Sequence, residues 1–433
     1  MSVVANTPQS TLRRTTRQRR PRMVTDRAWF LVPALVVVVI CLDVFHWSAQ
    51  GGVKQLPTLI LSVTALFAFV ANRFRISRLS FPAMCFAVLM VIAIPGLVIN
   101  KLSGASSSLF SAIALMVLPL SVYVLPTSWL QVDGRRMLKW LGVIATVFAI
   151  GALVQLFLDR RGMTAVRIHE RAFLIPLVLL VPHFLKMRWA TFTGCVAILA
   201  ILYLDPRTTL LFVIAITVAS LIFFRLAARE RQNALVAMAI IAAIVVAGGT
   251  SLLQMVDASY KGAFGRSSNS DFRESLIEVG MQEFRKSPVF GDFFRGPTSF
   301  ESGGFEYDSN GKLHPIFAPL HNDYLEFLTK GGIIGASLLV AGLAGTVYLA
   351  WRNMMYFRQR GHRDLANWQA VLVTSVTALM FTIMVNPVLN NPVCATPAYF
   401  LIAQVWMCDR FIRSGSSNAK RVQISTVKTG DRS

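Results

Sequence analysis

Acidic residues are scarce in this 433-residue chain: 21 Asp and Glu stand against 43 Lys and Arg, and charged side chains make up only 15% of it. A soluble globular domain carries about 25% charge, and together with 55% hydrophobic residues the shortfall excludes that class. Cysteine is also sparse. The five, at positions 41, 85, 195, 394 and 408, are widely separated with no CxxC spacing. They read as small packing residues and imply neither a disulfide framework nor a thiolate metal site. No small-residue cleavage site follows the basic leader 1–27, so it does not read as a secretory signal. No convincing internal repeat is present. The acidic residues of the longest polar stretch, from Asp257 to Asp323, show no DxD or HExxH spacing, which disfavours a metal centre, and no cofactor is expected.

Apolar residues fill the space instead. The chain is 55% hydrophobic with a mean hydropathy of +0.57. A bilayer span needs about 20 apolar residues. Twelve such stretches are predicted, at 28–47, 56–72, 81–99, 109–126, 139–158, 171–186, 190–204, 208–225, 233–254, 323–351, 367–385 and 393–409. The expected fold is an all-α, polytopic membrane helical bundle of about 12 transmembrane helices, with one large outer loop that contains an amphipathic helix. The chain divides into a basic tail (1–27), transmembrane helices 1–9 (28–254), the large loop (255–322), helices 10–12 (323–413) and a second tail (414–433) that reads as disordered.

The net charge of +22 first suggests nucleic acid. Topology removes that reading. With the N-terminus inside, 28 of the 43 Lys and Arg fall on the inner side. The positive-inside bias therefore accounts for most of the basicity, no nucleic-acid partner is implied, and both termini are expected to be cytoplasmic. Residues 1–27 then read as a topogenic tail, with an anionic-lipid site as the alternative.

Residues 255–322 are the only long polar stretch. Within it, Asp271–Phe284 places Phe272, Leu276, Val279 and Phe284 on one stripe, with Glu274, Glu278 and Gln282 opposite. That pattern predicts an amphipathic helix lying on the membrane surface or over the bundle. Asp271 is the expected N-cap, with Glu274 as its capping-box partner. Ser287-Pro288 ends it. Residues 291–315, with seven Gly or Pro, are expected to be an irregular return.

Several basic residues defy the inside rule. The short outer loop 159–171 carries Arg160, Arg161, Arg167 and Arg171. These either pair with Asp159 and Glu170 or form an anion site. Arg207, in the tight Asp205-Pro206-Arg207-Thr208-Thr209 connection, sits where free N–H groups and the helix dipole already favour an anion. A guanidinium there, beside two hydroxyls, suits phosphate; the alternative is a snorkelling Arg paired with Asp205. Arg266 and Arg273 open the large loop and His321 closes it, at the mouth of the next span. Histidine there can serve as a general base or as a cationic phosphate ligand, unless it merely bonds the loop backbone. His314 is a weaker candidate.

Leu320-His321-Asn322-Asp323-Tyr324-Leu325-Glu326, followed by Lys330-Gly331-Gly332-Ile333-Ile334-Gly335, resembles the signature that ends the large periplasmic loop in the O-antigen ligase and polymerase superfamily. Phe272-Arg273-Glu274-Ser275-Leu276, running on to Ser287-Pro288-Val289-Phe290-Gly291, resembles that family's Arg-led helix and its Pro-x-x-Gly turn. Arg207-Thr208-Thr209 resembles its short "SR(T/S)" connection, although Asp205-Pro206 stands where Ser is usual. Asp292-Phe293 likewise replaces the rest of a frequent Gly-x-Gly. The motifs cover about a quarter of the chain.

The resemblance implies a multi-pass protein of the bacterial inner membrane. It would move a glycan from an undecaprenyl-pyrophosphate carrier to an acceptor hydroxyl on the periplasmic face, without a nucleotide sugar. His321 would activate the acceptor or contact the diphosphate. Arg207, Arg273 and Arg266 would bind the diphosphate, with Asn322 and Arg167 in support. The acceptor would be lipid A–core for a ligase, a growing glycan for a polymerase, or a protein hydroxyl. A secondary transporter or flippase is the rival from another class. Transporters place ionisable groups near the midplane, whereas polar weight here sits in the outer loop. An inactive scaffold is the third reading.

Overall fold

The computed structural model describes residue 37 and residues 77–102, 109–125, 133–159, 168–204, 208–225, 269–295, 300–307, 313–318, 320 and 322–430. The expected spans 28–47, 56–72 and 233–254 lie outside these residues, apart from Val37. The other nine can be compared directly.

In hydrocarbon every backbone N–H and C=O must find its partner within the segment, so each long apolar run becomes a helix. Helices α1 (Phe81–Leu102), α2 (Leu109–Leu115), α3 (Val117–Ser121) and α4 (Gly134–Asp159) come first. A 3-10 segment (Ile168–Leu174) leads into α5 (Ile175–Phe184), α6 (Arg188–Leu204) and α7 (Thr208–Arg225). Beyond the polar stretch lie α9 (Asp323–Gln359), α10 (Arg363–Val385) and α11 (Pro392–Gly430), with α8 (Asn269–Lys286) standing before them. Among the described residues, parts of α1, α4, α9 and α10 are long and apolar enough to cross a membrane. α6 and α7 are separate helices, as the sequence indicates.

Three expectations are corrected. Span 109–126 is broken into α2 and α3 around Met116, with Pro119 inside the second piece. Span 171–186 begins as a 3-10 segment that opens before it, and its α-helical part is only ten residues long, with Pro176 in its first turn. The C-terminal tail is not irregular, because α11 continues through it to Gly430.

α10 occupies the centre, packed against α4, α5, α7, α9, α11 and the 3-10 segment. The first half of α11 is equally enclosed: residues 393–410 are all buried. Trp406 anchors it, with its ring 5.5 Å from Phe86 and 6.0 Å from Tyr123, and its Nε1–H donating to Thr346 Oγ1 at 3.1 Å. Span threonines satisfy their own hydroxyls by donating one turn back, as Thr217, Thr346 and Thr382 do to Val213, Gly342 and Ala378.

The large loop is not all helix and irregular chain. Strands β1 (Phe300–Tyr307) and β2 (Leu313–Ala318) pair antiparallel where a structureless return was expected. The register slips between Glu301 and Phe305, at Ser302-Gly303-Gly304, so a bulge absorbs the glycines that obscured the strand. Pro315, opposite Phe305, is tolerated in so short a ribbon.

The loop is fastened to the bundle by a broken helix. α9 is interrupted at Gly332, whose φ of 62° and ψ of −166° only glycine adopts readily. The break frees the amides of Ile333 and Ile334, which donate to the carbonyls of Pro288 (2.9 Å) and Val289 (3.3 Å). In return Phe294 N–H donates to Lys330 O at 2.9 Å, and Lys330 pairs with Asp292 at 3.1 Å. Asn100 of α1 donates to Phe294 O at 2.9 Å. No side chain fits between these backbones: a Cβ on Gly96 would lie 1.7 Å from Phe293 O, and one on Gly332 2.2 Å from Val289 O.

Gly332→Ala should therefore lose more stability than the roughly 1–3 kcal/mol of φ strain alone. Gly361, at φ 73° with nothing near its missing Cβ, supplies the control. Thermal unfolding of both alanine variants in detergent should show the larger fall for Gly332→Ala. Equal falls would mean that the turn at 288–294 is not clamped.

Candidate functional site

Of the residues singled out in the sequence, Arg167, Arg207, Arg266 and His321 lie outside the described residues. His314 falls in β2, opposite Glu306. Arg273 lies on α8 and Asn322 at the head of α9. What the structure gives is the frame around them.

α8 begins at Asn269, so Asp271 lies inside its first turn and is not the cap. Its inward face is Leu276 and Gly280, flanked by Val279 and Met281. They close over Leu320, Leu325 and Leu328. Gly280 permits the approach, because a Cβ there would meet Leu325 at 2.9 Å and Leu320 at 3.2 Å. Of the two expected placements, the helix rests on the bundle. Arg273 precedes Leu276 by three residues along α8. Leu320 immediately precedes His321. The two motifs thus meet through one leucine cluster.

Asn322 is the N-cap of α9. Its φ of −150° is extended, and its Oδ1 accepts the N–H of Leu325 at 3.0 Å. A side-chain cap of this kind fixes the entry of the chain into the helix and satisfies one of its free amides. The next residues point inward. Asp323 and Glu326 are each 0% exposed. Tyr324 OH donates to Met380 O at 3.1 Å.

Those two carboxylates belong to a buried polar network that the sequence did not reveal. Asp323 Oδ2 accepts the N–H of Leu389 at 2.8 Å, and Asn390 Nδ2 donates to Glu326 Oε2. Asn391 Nδ2 donates to Glu170 Oε2 at 3.2 Å, which the Cys394 thiol also approaches at 3.6 Å. Asn386 Nδ2 lies 3.5 Å from Thr209 Oγ1. Arg171, 2% exposed, interacts with Cys394, and the Asp323 carboxylate feels the charges of both Glu326 and Glu170. The Asn386–Asn391 connection between α10 and α11 is the common partner. Its signal was three Asn and two Pro within Asn386–Pro392, at a junction of spans where polar groups are costly.

Charged residues within the spans are therefore more numerous than the sequence suggested. They lie at helix ends. Asp323, Glu326 and Lys330 occupy the first turns of α9, while a second group marks the opposite end of the bundle. There Arg352 and Arg413 both pair with Asp409, and Arg410 donates to the carbonyls of Val122 and Leu125.

With this geometry in hand, comparison with known families is informative. Residues 192–340 of the 433 match the model of the O-antigen ligase family. The match runs from within α6 into α9 and takes in Arg207-Thr208-Thr209, α8, the clasped turn and His321-Asn322. No curated protein matches the chain.

The leucine contact can be tested without any substrate. Leu276→Ala should cost about 2–5 kcal/mol of local packing. It should speed proteolytic cleavage of the loop at least tenfold, whereas Ile277→Ala, at a side chain 47% exposed, should leave cleavage unchanged. Equal sensitivity of the two would mean that α8 does not rest on α9.

Proposed function

We propose that this chain is a membrane glycosyltransferase of the O-antigen ligase type, transferring a glycan from undecaprenyl-pyrophosphate to an acceptor hydroxyl at the periplasmic face of the inner membrane. The observation that carries the reading is the family match over residues 192–340, which contains the three motif pieces in order. The clustering of polar helix ends around the start of α9 supports it.

The chemistry asked of the site is a displacement at the anomeric carbon. The acceptor oxygen forms a bond to that carbon as the bond to the diphosphate oxygen breaks, and undecaprenyl-pyrophosphate departs with the electron pair. His321 takes the acceptor proton, as a base whose ordinary pKa lies close to neutrality. The leaving diphosphate gains negative charge as the reaction proceeds. Arg207, Arg273 and Arg266 are the groups proposed to receive it, because a guanidinium binds two phosphate oxygens in one plane and stays charged when partly desolvated. Arg167 assists from the neighbouring loop. Asn322 acts on the backbone: by capping α9 directly after His321, it holds that residue's attachment point.

The expected site residues give a direct test. His321→Ala and Arg273→Ala should abolish glycan transfer while the protein remains inserted and abundant. Arg207→Lys should also be impaired, since an ammonium cannot reproduce the bidentate contact. Normal glycan output from His321→Ala and Arg273→Ala would eliminate the enzymatic reading. Purified protein supplied with carrier-linked glycan separates the two acceptors. Product on lipid A–core identifies a ligase, and lengthening of the carrier-linked glycan identifies a polymerase.

A further inference from the structure

The buried groups around the start of α9 have a property the transfer chemistry does not require. Asp323 and Glu326 are 0% exposed, enclosed by the protein itself. Yet they lie beside the residues proposed to contact substrate. Glu170 follows Arg167 by three residues, Thr209 follows Arg207 by two, and Asp323 follows His321 by two. Two residues of extended chain span at most about 7 Å, and three about 11 Å. Connectivity alone therefore keeps each attachment point close to a buried contact.

All those contacts end on one segment. Asn386 reaches Thr209, Leu389 N–H reaches Asp323, Asn390 reaches Glu326, and Asn391 reaches Glu170. Three chain segments far apart in sequence are thus referred to six residues between α10 and α11. The residue type fits the task. Buried carboxylates need donors, and a carboxamide supplies N–H groups without adding charge.

We propose that the Asn386–Asn391 connection is a positioning platform, which sets the relative placement of the segments bearing Arg167, Arg207 and His321 through the Asn386–Thr209, Leu389–Asp323, Asn390–Glu326 and Asn391–Glu170 contacts. The link to catalysis rests on the transferase reading above. The mechanical coupling of the three segments does not.

The test exchanges donor and acceptor. Asn390→Asp sets a second carboxylate against Glu326. The swap Glu326→Gln with Asn390→Asp restores one amide and one carboxylate with their places reversed. Hydrogen exchange is followed in nanodiscs over residues 168–174, 208–210, 323–326 and 386–392, alongside turnover per folded molecule.

Asn390→Asp should speed exchange about tenfold in all four stretches, and the swap should reverse this. Misplacement of about 1 Å should lower turnover about 100-fold, with recovery in the swap. Asn391→Ala, a milder change, should speed exchange at 168–174 as well as at 386–392. Acceleration confined to residues 386–392 in every variant overturns the platform. So does unchanged turnover per folded molecule in Asn390→Asp when the wild-type chain transfers glycan, since a purely structural role would reduce only the amount of folded protein. If the wild-type chain transfers nothing, the transferase reading falls and the exchange pattern alone decides the platform.

Discussion

The break in α9 at Gly332 governs how the polar stretch and the bundle become one body. A continuous helix would consume its own amides and leave the turn at 288–294 without partners. The interruption instead presents the N–H groups of Ile333 and Ile334 to Pro288 and Val289, and returns Lys330 O to Phe294. Each such bond is worth only about 0.5–1.5 kcal/mol net. The close approach of backbones at Gly96, Gly291 and Gly332 is the stronger constraint, because it admits no side chain at all. Once the turn is seated, α8 has nowhere to lie but over the first turns of α9, which brings Leu276 onto Leu320 and Leu325.

Electrostatics separates the two ends of the bundle. At one end, Asp409 is enclosed between Arg352 and Arg413, while Arg410 ties α11 to the chain after α3. This is a compensated arrangement, in which a buried carboxylate is met by two half-exposed guanidinium groups. At the other end, Glu170, Asp323 and Glu326 accept hydrogen bonds from Asn391, the Leu389 N–H and Asn390, and two buried cations, Arg171 and Lys330, belong to the same segments. Charge pairs occur at both ends, and the second adds amide donors from the Asn386–Asn391 connection.

How much of this was legible depended on whether the signal was local. The long apolar runs became α1, α4, α9 and α10 close to the expected limits, because span length is a property of contiguous sequence. The inward face of α8 at Leu276 followed from 3.6-residue spacing, and Ser287-Pro288 ended that helix as expected. The β1–β2 hairpin was hidden by Gly303-Gly304 and Pro315, residues that normally deny a strand. The 3-10 segment at Ile168–Leu174 depends on its neighbours rather than on its own sequence. Least legible was the buried polar network. Nothing near Glu170 announces Asn391, 221 residues away. Asn322 was noted as a companion of His321, but its role as a helix cap emerged only from φ and the bond to Leu325.

The position of the Asn386–Asn391 connection also bears on biosynthesis. A nascent chain extending only to α10 has already made Thr209, Glu170, Asp323 and Glu326, but not the Leu389, Asn390 and Asn391 donors that bond to the three carboxylates. The earlier helices thus lack these shared hydrogen bonds until the connection to α11 is made. Synthesis order makes this last junction between described helices a checkpoint: a protein truncated there lacks the donors that tie Glu170, Asp323 and Glu326 to one segment.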